Sequence, residues 1–469
     1  MISWKAIAVY SKRVLAGLRK NGSFVSNYAI LLSGAGANIG VQMVIAPLLS
    51  RIYGPEAYGV FSLFAAFSAN LALLAGLRLP QALQLPDNSG AIKLTQLTFL
   101  SALVFCIVLS AGFFWWASPV LTFLNAEAII PFAWLIPVMV FLLVVNQVMG
   151  QWQYRLNAFR QSAVLDTGVL IFVRVFNLGL GWVSQGTTLG LVLGDFVGKI
   201  SGILLSWKLV VREKVLEFLK PKPFSELWGT LLEYRSYPVF NLPGMWVSLL
   251  SDQLIVFFIS FMYGLELIGL YSMATSLLDL PKRLLAYSAT SVFYKRAVEL
   301  NKESLRALQS LVIRFVYFFL LAALVPYSLI MVFGPELFSF IFGSRWHQAG
   351  QLAQYLAIYC IFELIYIALD SVYYVLRKEK SLFVFQITGF LLRLAVFSYC
   401  YFSAQPVQHT ILLFTISNVI FFSCQLIWLF RLIQIRWMFH ITILYLSVLS
   451  VVLMLFFVRS FFLTGNDGN

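Results

Sequence analysis

The segment Tyr53-Gly-Pro-Glu-Ala-Tyr-Gly-Val-Phe-Ser62 recurs 210 positions later as Tyr263-Gly-Leu-Glu-Leu-Ile-Gly-Leu-Tyr-Ser272, without a gap. Five positions are identical: Tyr53/Tyr263, Gly54/Gly264, Glu56/Glu266, Gly59/Gly269 and Ser62/Ser272. Each copy lies between two long apolar segments. A polar hairpin repeated between hydrophobic helices predicts a two-lobed membrane transporter, with its substrate site between the lobes. At the same offset Gly34 matches Gly244 and Ile45 matches Ile255, so the repeat extends beyond the hairpin.

Composition fixes the class. Hydrophobic residues make up 61% of the chain and charged residues 11%, against about 25% charged in soluble proteins. Apolar runs long enough to cross about 30 Å of hydrocarbon recur along the whole length. They predict an all-α polytopic membrane protein with spans near 24–49, 57–79, 94–118, 130–150, 162–183, 186–209, 237–261, 268–292, 310–333, 351–374, 382–402, 409–432 and 441–463. The net charge of +14 invites a nucleic-acid partner, but the placement of the charges argues against one. With the N-terminus in the cytoplasm, 24 of the 33 Lys and Arg fall in the cytoplasmic tail and loops or at adjoining span ends. The external loops hold only Arg51 and Arg345, and the other seven lie within spans. This asymmetry is the positive-inside rule, and the basic loops are expected against anionic headgroups.

The domain plan follows. Residues 1–23 form a basic cytoplasmic lead-in without a signal-peptide layout. Residues 24–210 form the N-lobe of six spans, 211–236 a basic cytoplasmic linker, 237–432 the C-lobe of six spans, and 433–469 a C-terminal hydrophobic segment and tail. Six is even, so both lobes enter from the same side and the repeat is parallel. The segment 441–463 has no N-lobe partner and reads either as a thirteenth span or as an interfacial helix. Gly190, Gly194, Gly198 and Gly202 recur every four residues, which suits close helix packing. Gly194-x-x-x-Gly198-Lys199 lacks P-loop spacing and is followed by Ile200. No cofactor is expected. Cys106, Cys360, Cys400 and Cys424 are scattered in apolar segments and read as buried hydrophobes, neither disulfides nor a metal site.

Ionisable and polar groups inside spans carry the functional signal. In span one, Asn27, Gly34, Asn38 and Gln42 share a helix face. In span seven, Asn241, Ser248 and Asp252 form the equivalent stripe, and Gln42 matches Asp252 under the repeat. Matching stripes suggest two walls of one cavity; interhelical hydrogen bonding without a ligand is the alternative. Span eight carries Asp279-Leu-Pro-Lys-Arg283. Pro281 is expected to kink it. Asp279 and Arg283 are one turn apart and suited to pair, which leaves Lys282 as surplus positive charge for an anionic ligand. Span ten places Tyr359, Glu363, Tyr366 and Asp370 along one face. Its carboxylates either carry a proton or cation, or pair with Arg393 or Arg314. Asp166 with Arg174, and Asp195 with Lys199, are further candidate pairs. His347, His409 and His440 are far apart in sequence, no catalytic constellation is apparent, and no loop is long enough for a catalytic domain. An enzyme is therefore not expected.

The run Pro47-Leu-Leu-Ser-Arg-Ile-Tyr-Gly-Pro-Glu-Ala-Tyr-Gly59, with Ser251-Asp-Gln-Leu254 and Gly269-Leu-Tyr-Ser-Met-Ala274, resembles the polysaccharide-biosynthesis flippases of the multidrug/oligosaccharidyl-lipid/polysaccharide exporter superfamily. The resemblance covers about 1–432. It implies a V-shaped bundle with alternating access in the bacterial inner membrane. The implied substrate is an undecaprenyl-diphosphate-linked oligosaccharide, an O-antigen or exopolysaccharide unit, moved from the cytoplasmic to the periplasmic leaflet. Under that reading Lys282, Arg283, Arg174, Arg393 and Arg51 would meet the diphosphate. Asn38, Gln42, Asn241, Ser248, Tyr359 and Tyr366 would meet the sugar. Asp252, Glu363, Asp370 and Asp279 would couple transport to an ion gradient. A glycan polymerase and other assembly proteins would be partners. An organic-cation antiporter of the same superfamily is the alternative function, and a membrane glycosyltransferase a more distant one.

Overall fold

The computed structural model describes residues 24–211, 220 and 222–464. The lead-in 1–23, most of the basic stretch expected between the lobes, and the tail after Thr464 lie outside the described residues, as does the side chain of Asn27. The described chain is helical, with short connections. The main helices are α1 (Phe24–Ile52), α2 (Pro55–Ala75), α3 (Asn88–Phe123), α4 (Leu135–Arg155), α5 (Phe159–Val183), α6 (Thr188–Val211), α7 (Phe224–Glu233) and α8 (Leu242–Tyr263). They continue with α9 (Leu265–Pro281), α10 (Tyr287–Glu303), α11 (Leu305–Phe342), α12 (His347–Leu369), α13 (Glu379–Phe402), α14 (Val407–Leu432) and α15 (Trp437–Thr464).

Twelve helices among the described residues are long and apolar enough to cross a membrane. They include Trp437–Phe457, the segment whose fate the sequence left open. They do not include the expected span 268–292. There the chain forms the 17-residue α9, a π-helical turn at Lys282–Ala286, and the polar α10. Asp279, Lys282 and Arg283 interrupt the apolar run. Pro281 has no N–H to donate, and the helix widens to π spacing at the next residue instead of merely kinking.

The chain divides into two compact units. One holds the residues up to Ile52, Phe67–Ser118 and Ile130–Pro243; the other holds Tyr53–Ala66, Pro119–Ile129 and Gly244 onward.

In the first unit α1 lies along α5, where a Cβ on Gly34 would come 2.9 Å from the Ala163 Cβ. Three glycines of the expected stripe, Gly194, Gly198 and Gly202, do pack closely. Gly194 and Gly198 of α6 abut Asn177 and Val173 of α5, and Gly202 abuts Asn146 of α4. At one end, Trp152 is buried and its Nε1 donates to Thr95 Oγ1 at 2.9 Å. Around it Leu83, Leu94, Leu97, Val148 and Met149 are buried, and the amphipathic α7 adds Leu227 to that cluster. The Arg155 guanidinium donates to the carbonyls of Leu83 and Pro86, both at 2.7 Å, and fixes the turn between α2 and α3.

In the second unit the two copies of the repeat meet. Gly59, in the first turns of α2, sits against the Leu265 carbonyl, and Gly269 sits against the Pro55 carbonyl. Residues 55 and 265 are themselves equivalent under the 210-residue offset, so the contact is symmetric. Only a residue without Cβ permits backbones this close. Glu56 and Glu266 lie in the first turns of their helices, where the helix dipole favours negative charge. Tyr53 is fully buried. Its counterpart Tyr263 bonds through its hydroxyl to the Gln405 carbonyl at 2.7 Å and to Thr410 Oγ1 at 2.6 Å. Gly264 has φ +87°, a conformation that other residues adopt only with strain. The copies are therefore conserved in packing but not in every backbone angle. Helices α11 and α12 close on each other through Gly334 and Gly350, beside the buried Trp346. Helix α15 packs on α11 and α14, tied by Tyr317 to His440 and by Ser423 to Tyr445, both at 2.8 Å.

Three of the four cysteines are buried, as expected of small hydrophobes, but Cys424 is exposed on α14. A helix face turned outward needs no polar residue when its surroundings are apolar.

Candidate functional site

Six charged residues of the second unit, on four helices and the π turn at Lys282–Ala286, stand in one network. At its centre the Lys282 side chain is 10% exposed, and its Nζ lies 2.7 Å from Asp279 Oδ1 and 2.7 Å from Glu363 Oε2. Asp279 is one turn back on α9, and Glu363 is on α12. The π turn starts at Lys282, so the same departure from α spacing that follows Pro281 carries its base. Arg283 is half exposed and stands 4.0 Å from Asp279 Oδ2.

This reverses one expectation. Asp279 was to pair with Arg283 and leave Lys282 over; instead Lys282 takes both carboxylates and Arg283 makes the long contact. Sequence spacing favours the four-residue pair, but only the three-residue neighbour faces α12. Burial then selects the cation with two partners, because an uncompensated charge there is costly.

A second cluster stands on α13. Arg393 donates to Ser251 Oγ at 2.6 Å, to Asp252 Oδ1 at 3.2 Å, and through Nη2 to Asn418 Oδ1 at 2.9 Å. Its guanidinium also lies 5.9 Å from the centre of the Phe421 ring. Neither Glu363 nor Asp370 pairs with Arg393 or Arg314: Glu363 holds Lys282, and Asp370 caps the C-terminal end of α12. Asp252 is within electrostatic range of Lys282 and Asp279, so the two clusters form one field. Asn418 was not anticipated; its position within an apolar span was the available signal. Tyr359 and Tyr366 are buried, both against Phe422, with ring centroids at 6.4 and 5.8 Å. Ser248 is half-buried on α8.

The remaining candidates belong to the first unit. Asn38 is half-buried on α1, and among the described residues its Oδ1 has no hydrogen-bond partner. Gln42 is half-buried one turn on, and Arg51 is exposed in the last turn of α1. Asn241 accepts from Arg78 Nε at 3.0 Å. Burial lowers the Arg78 pKa from its ordinary value, with the guanidinium still charged at neutral pH. Arg174 is half-buried, and no ion pair to it exists among the described residues. The expected partner Asp166 sits 3.5 Å from Ser162 Oγ instead. Asp195 and Lys199 do pair, at 3.7 Å.

The network is balanced: Asp252, Asp279 and Glu363 stand against Lys282, Arg283 and Arg393. It can hold an anion by lending cations, or a cation by lending carboxylates, but only by exchanging internal partners.

The polysaccharide biosynthesis protein family model matches residues 24–294, more than half of the chain. The chain belongs to that family. No curated protein matches it significantly in sequence. Among solved structures it resembles an inward-facing multidrug resistance MATE family transporter of the MOP superfamily, with TM-score 0.64 and 12% identity over 85% of this chain and 98% of the other. It also resembles the lipid II flippase MurJ in an inward closed conformation, with TM-score 0.63 and 14% identity over 94% of this chain and 100% of the other. A Pyrococcus furiosus MOP superfamily transporter with a binding pocket of reversed polarity matches at TM-score 0.57 and 14% identity, over 87% of this chain and 95% of the other. At these identities the likeness is one of fold. This family member is a multi-pass membrane protein with the fold of the MOP transporters.

Proposed function

We propose that the protein is a flippase for undecaprenyl-diphosphate-linked oligosaccharide units of an O-antigen or exopolysaccharide. It moves them from the cytoplasmic to the periplasmic leaflet of a bacterial inner membrane by alternating access, coupled to an ion gradient. The observation that carries this reading is the family match across residues 24–294. The fold shared with a lipid II flippase supports it, and so does the chemistry of the charged network. A diphosphate needs cations at membrane depth, and Lys282 and Arg393 are cations with hydrogen-bond donors to share. A polyprenyl tail can stay in lipid while its head crosses. On this reading the protein is a carrier and not an enzyme, its N-terminus is cytoplasmic, and a glycan polymerase receives its product.

The shared fold with multidrug transporters keeps organic-cation antiport as the second reading. It is weaker, because the likeness to multidrug transporters is one of fold at 12% identity, while the family match is to polysaccharide biosynthesis proteins. The test is deletion of the protein and leaflet-resolved analysis of lipid-linked glycan. Accumulation on the cytoplasmic leaflet with loss of surface polysaccharide is expected. Normal surface polysaccharide with altered sensitivity to cationic drugs refutes the flippase reading in favour of the antiporter.

A further inference from the structure

Lys282 is the cation best placed inside the network, yet it is already bonded to two carboxylates. Asp279 Oδ1 and Glu363 Oε2 each lie 2.7 Å from the one ammonium nitrogen, so they stand within about 5.4 Å of each other. They come from different helices, and Lys282 is the charge between them. A diphosphate can gain Lys282 only by drawing it away from one or both. The carboxylates are then left facing each other, partly buried at 34% and 21% exposure. Two like charges at that separation in a weakly polar site do not both stay ionised.

We infer that binding of a diphosphate anion at Lys282 is coupled to uptake of one proton by the Asp279–Glu363 pair. The inference rests on the proposed diphosphate substrate. Lys282 remains an ammonium throughout. Its hydrogen bonds move from Glu363 to the phosphate oxygens, and a proton from bulk water adds to a carboxylate oxygen. Glu363 is the main acceptor, since it is the less exposed of the two and Arg283 stays beside Asp279. The other ionisable groups in the field of the pair are Tyr271 on α9, Tyr327 on α11, Tyr359 and Cys360 on α12, and Asp252 on α8. The tyrosines and the thiol are neutral at working pH, and Asp252 is held by Arg393. Release of the anion lets Lys282 return and expels the proton.

One consequence sets this apart from proton antiport. The six charges of the empty network sum to zero, and a diphosphate diester carries two negative charges against one proton gained. The loaded network is net negative, so the inside-negative membrane potential drives it outward while a pH gradient opposes it.

The experiment uses the full chain in detergent micelles and a farnesyl-diphosphate-sugar diester, whose own phosphates do not titrate near neutral pH. Calorimetry in two buffers of different ionisation enthalpy counts protons per ligand bound. The expected result is uptake approaching one proton, and affinity rising by up to about tenfold per unit fall in pH. Glu363→Gln keeps a hydrogen-bond acceptor for Lys282 and should abolish most of both effects while still binding. Asp279→Asn serves as the second variant should Glu363→Gln fold poorly. Binding with no proton exchange, with proton release, or with uptake unchanged in both variants overturns the inference and leaves the flippase reading standing. No binding of the diester to the wild-type chain overturns both.

Discussion

The symmetric contact between the repeat copies makes a quantitative prediction. A Cβ on Gly59 would lie 2.7 Å from the Leu265 carbonyl carbon and 3.1 Å from the Gly269 nitrogen. A Cβ on Gly269 would lie 2.5 Å from the Pro55 carbonyl carbon and 3.0 Å from the Gly59 nitrogen. Carbon atoms in comfortable contact stand about 3.5–4.0 Å apart. Alanine at either position must therefore part α2 and α9 by about 1 Å, because backbone cannot rotate away as a side chain does. Overpacking of this kind costs about 1–3 kcal/mol, and the rigid neighbour places each single variant toward the upper end. The second alanine then enters a gap already opened. The double variant should be less destabilised than the sum of the singles by about 1–2 kcal/mol, as expected for residues in direct contact. The assay is unfolding of Gly59→Ala, Gly269→Ala and the double variant by denaturing detergent in mixed micelles. Gly150→Ala is the control: nothing lies within 4 Å of its Cβ site on α4, so it should be neutral or gain up to about 1 kcal/mol of helix propensity. Single variants no less stable than the control, or strict additivity in the double, would refute the close crossing.

Three further outcomes follow from named contacts. Arg393→Lys keeps the charge but lacks the planar fork that reaches Ser251, Asp252 and Asn418 together; it should lower surface glycan output severalfold at unchanged protein level, measured by immunoblot and glycan staining. Arg155→Ala removes two hydrogen bonds to loop carbonyls and should cost about 2–4 kcal/mol in the same unfolding assay, with Arg155→Lys recovering only part. At the α3–α7 contact, the Lys93 hydrogen bond and charge hold the Glu226 pKa below its ordinary value. That pair's contribution to stability is present above the carboxylate's unfolded-state value, about 4.3, and is lost as pH falls through the depressed one. Lys93→Met should lower stability at pH 7, flatten the profile in that acidic window, and converge with the wild type below it.

The repeat, the spans and the class were legible because they rest on properties that survive without coordinates. Twenty apolar residues in a row must bury their backbone hydrogen bonds in a helix. Gly59 and Gly269 announced themselves through identity at a fixed offset, and the stripe on α6 through spacing alone. Span eight is helical where expected but less apolar than the twelve, for a local reason. Its mean hydropathy looks adequate, yet the polar cluster after Pro281 and the polar α10 leave no apolar helix of sufficient length.

Partner choice among the charges was not legible. Spacing offers Asp279 both Lys282 and Arg283, and offers Glu363 no partner at all. Lys282 was settled by α12 bringing Glu363, 81 residues away, within 2.7 Å of its nitrogen. Arg393 found Ser251, 142 residues off, and Asn418, 25 residues off, for the same reason. The sequence by itself determined which segments are helices in a membrane and that two halves repeat, since hydrophobic burial and backbone satisfaction are local and periodic. Only the tertiary structure decided which charge neutralises which, because Coulomb energy and desolvation depend on distances between helices far apart in the chain.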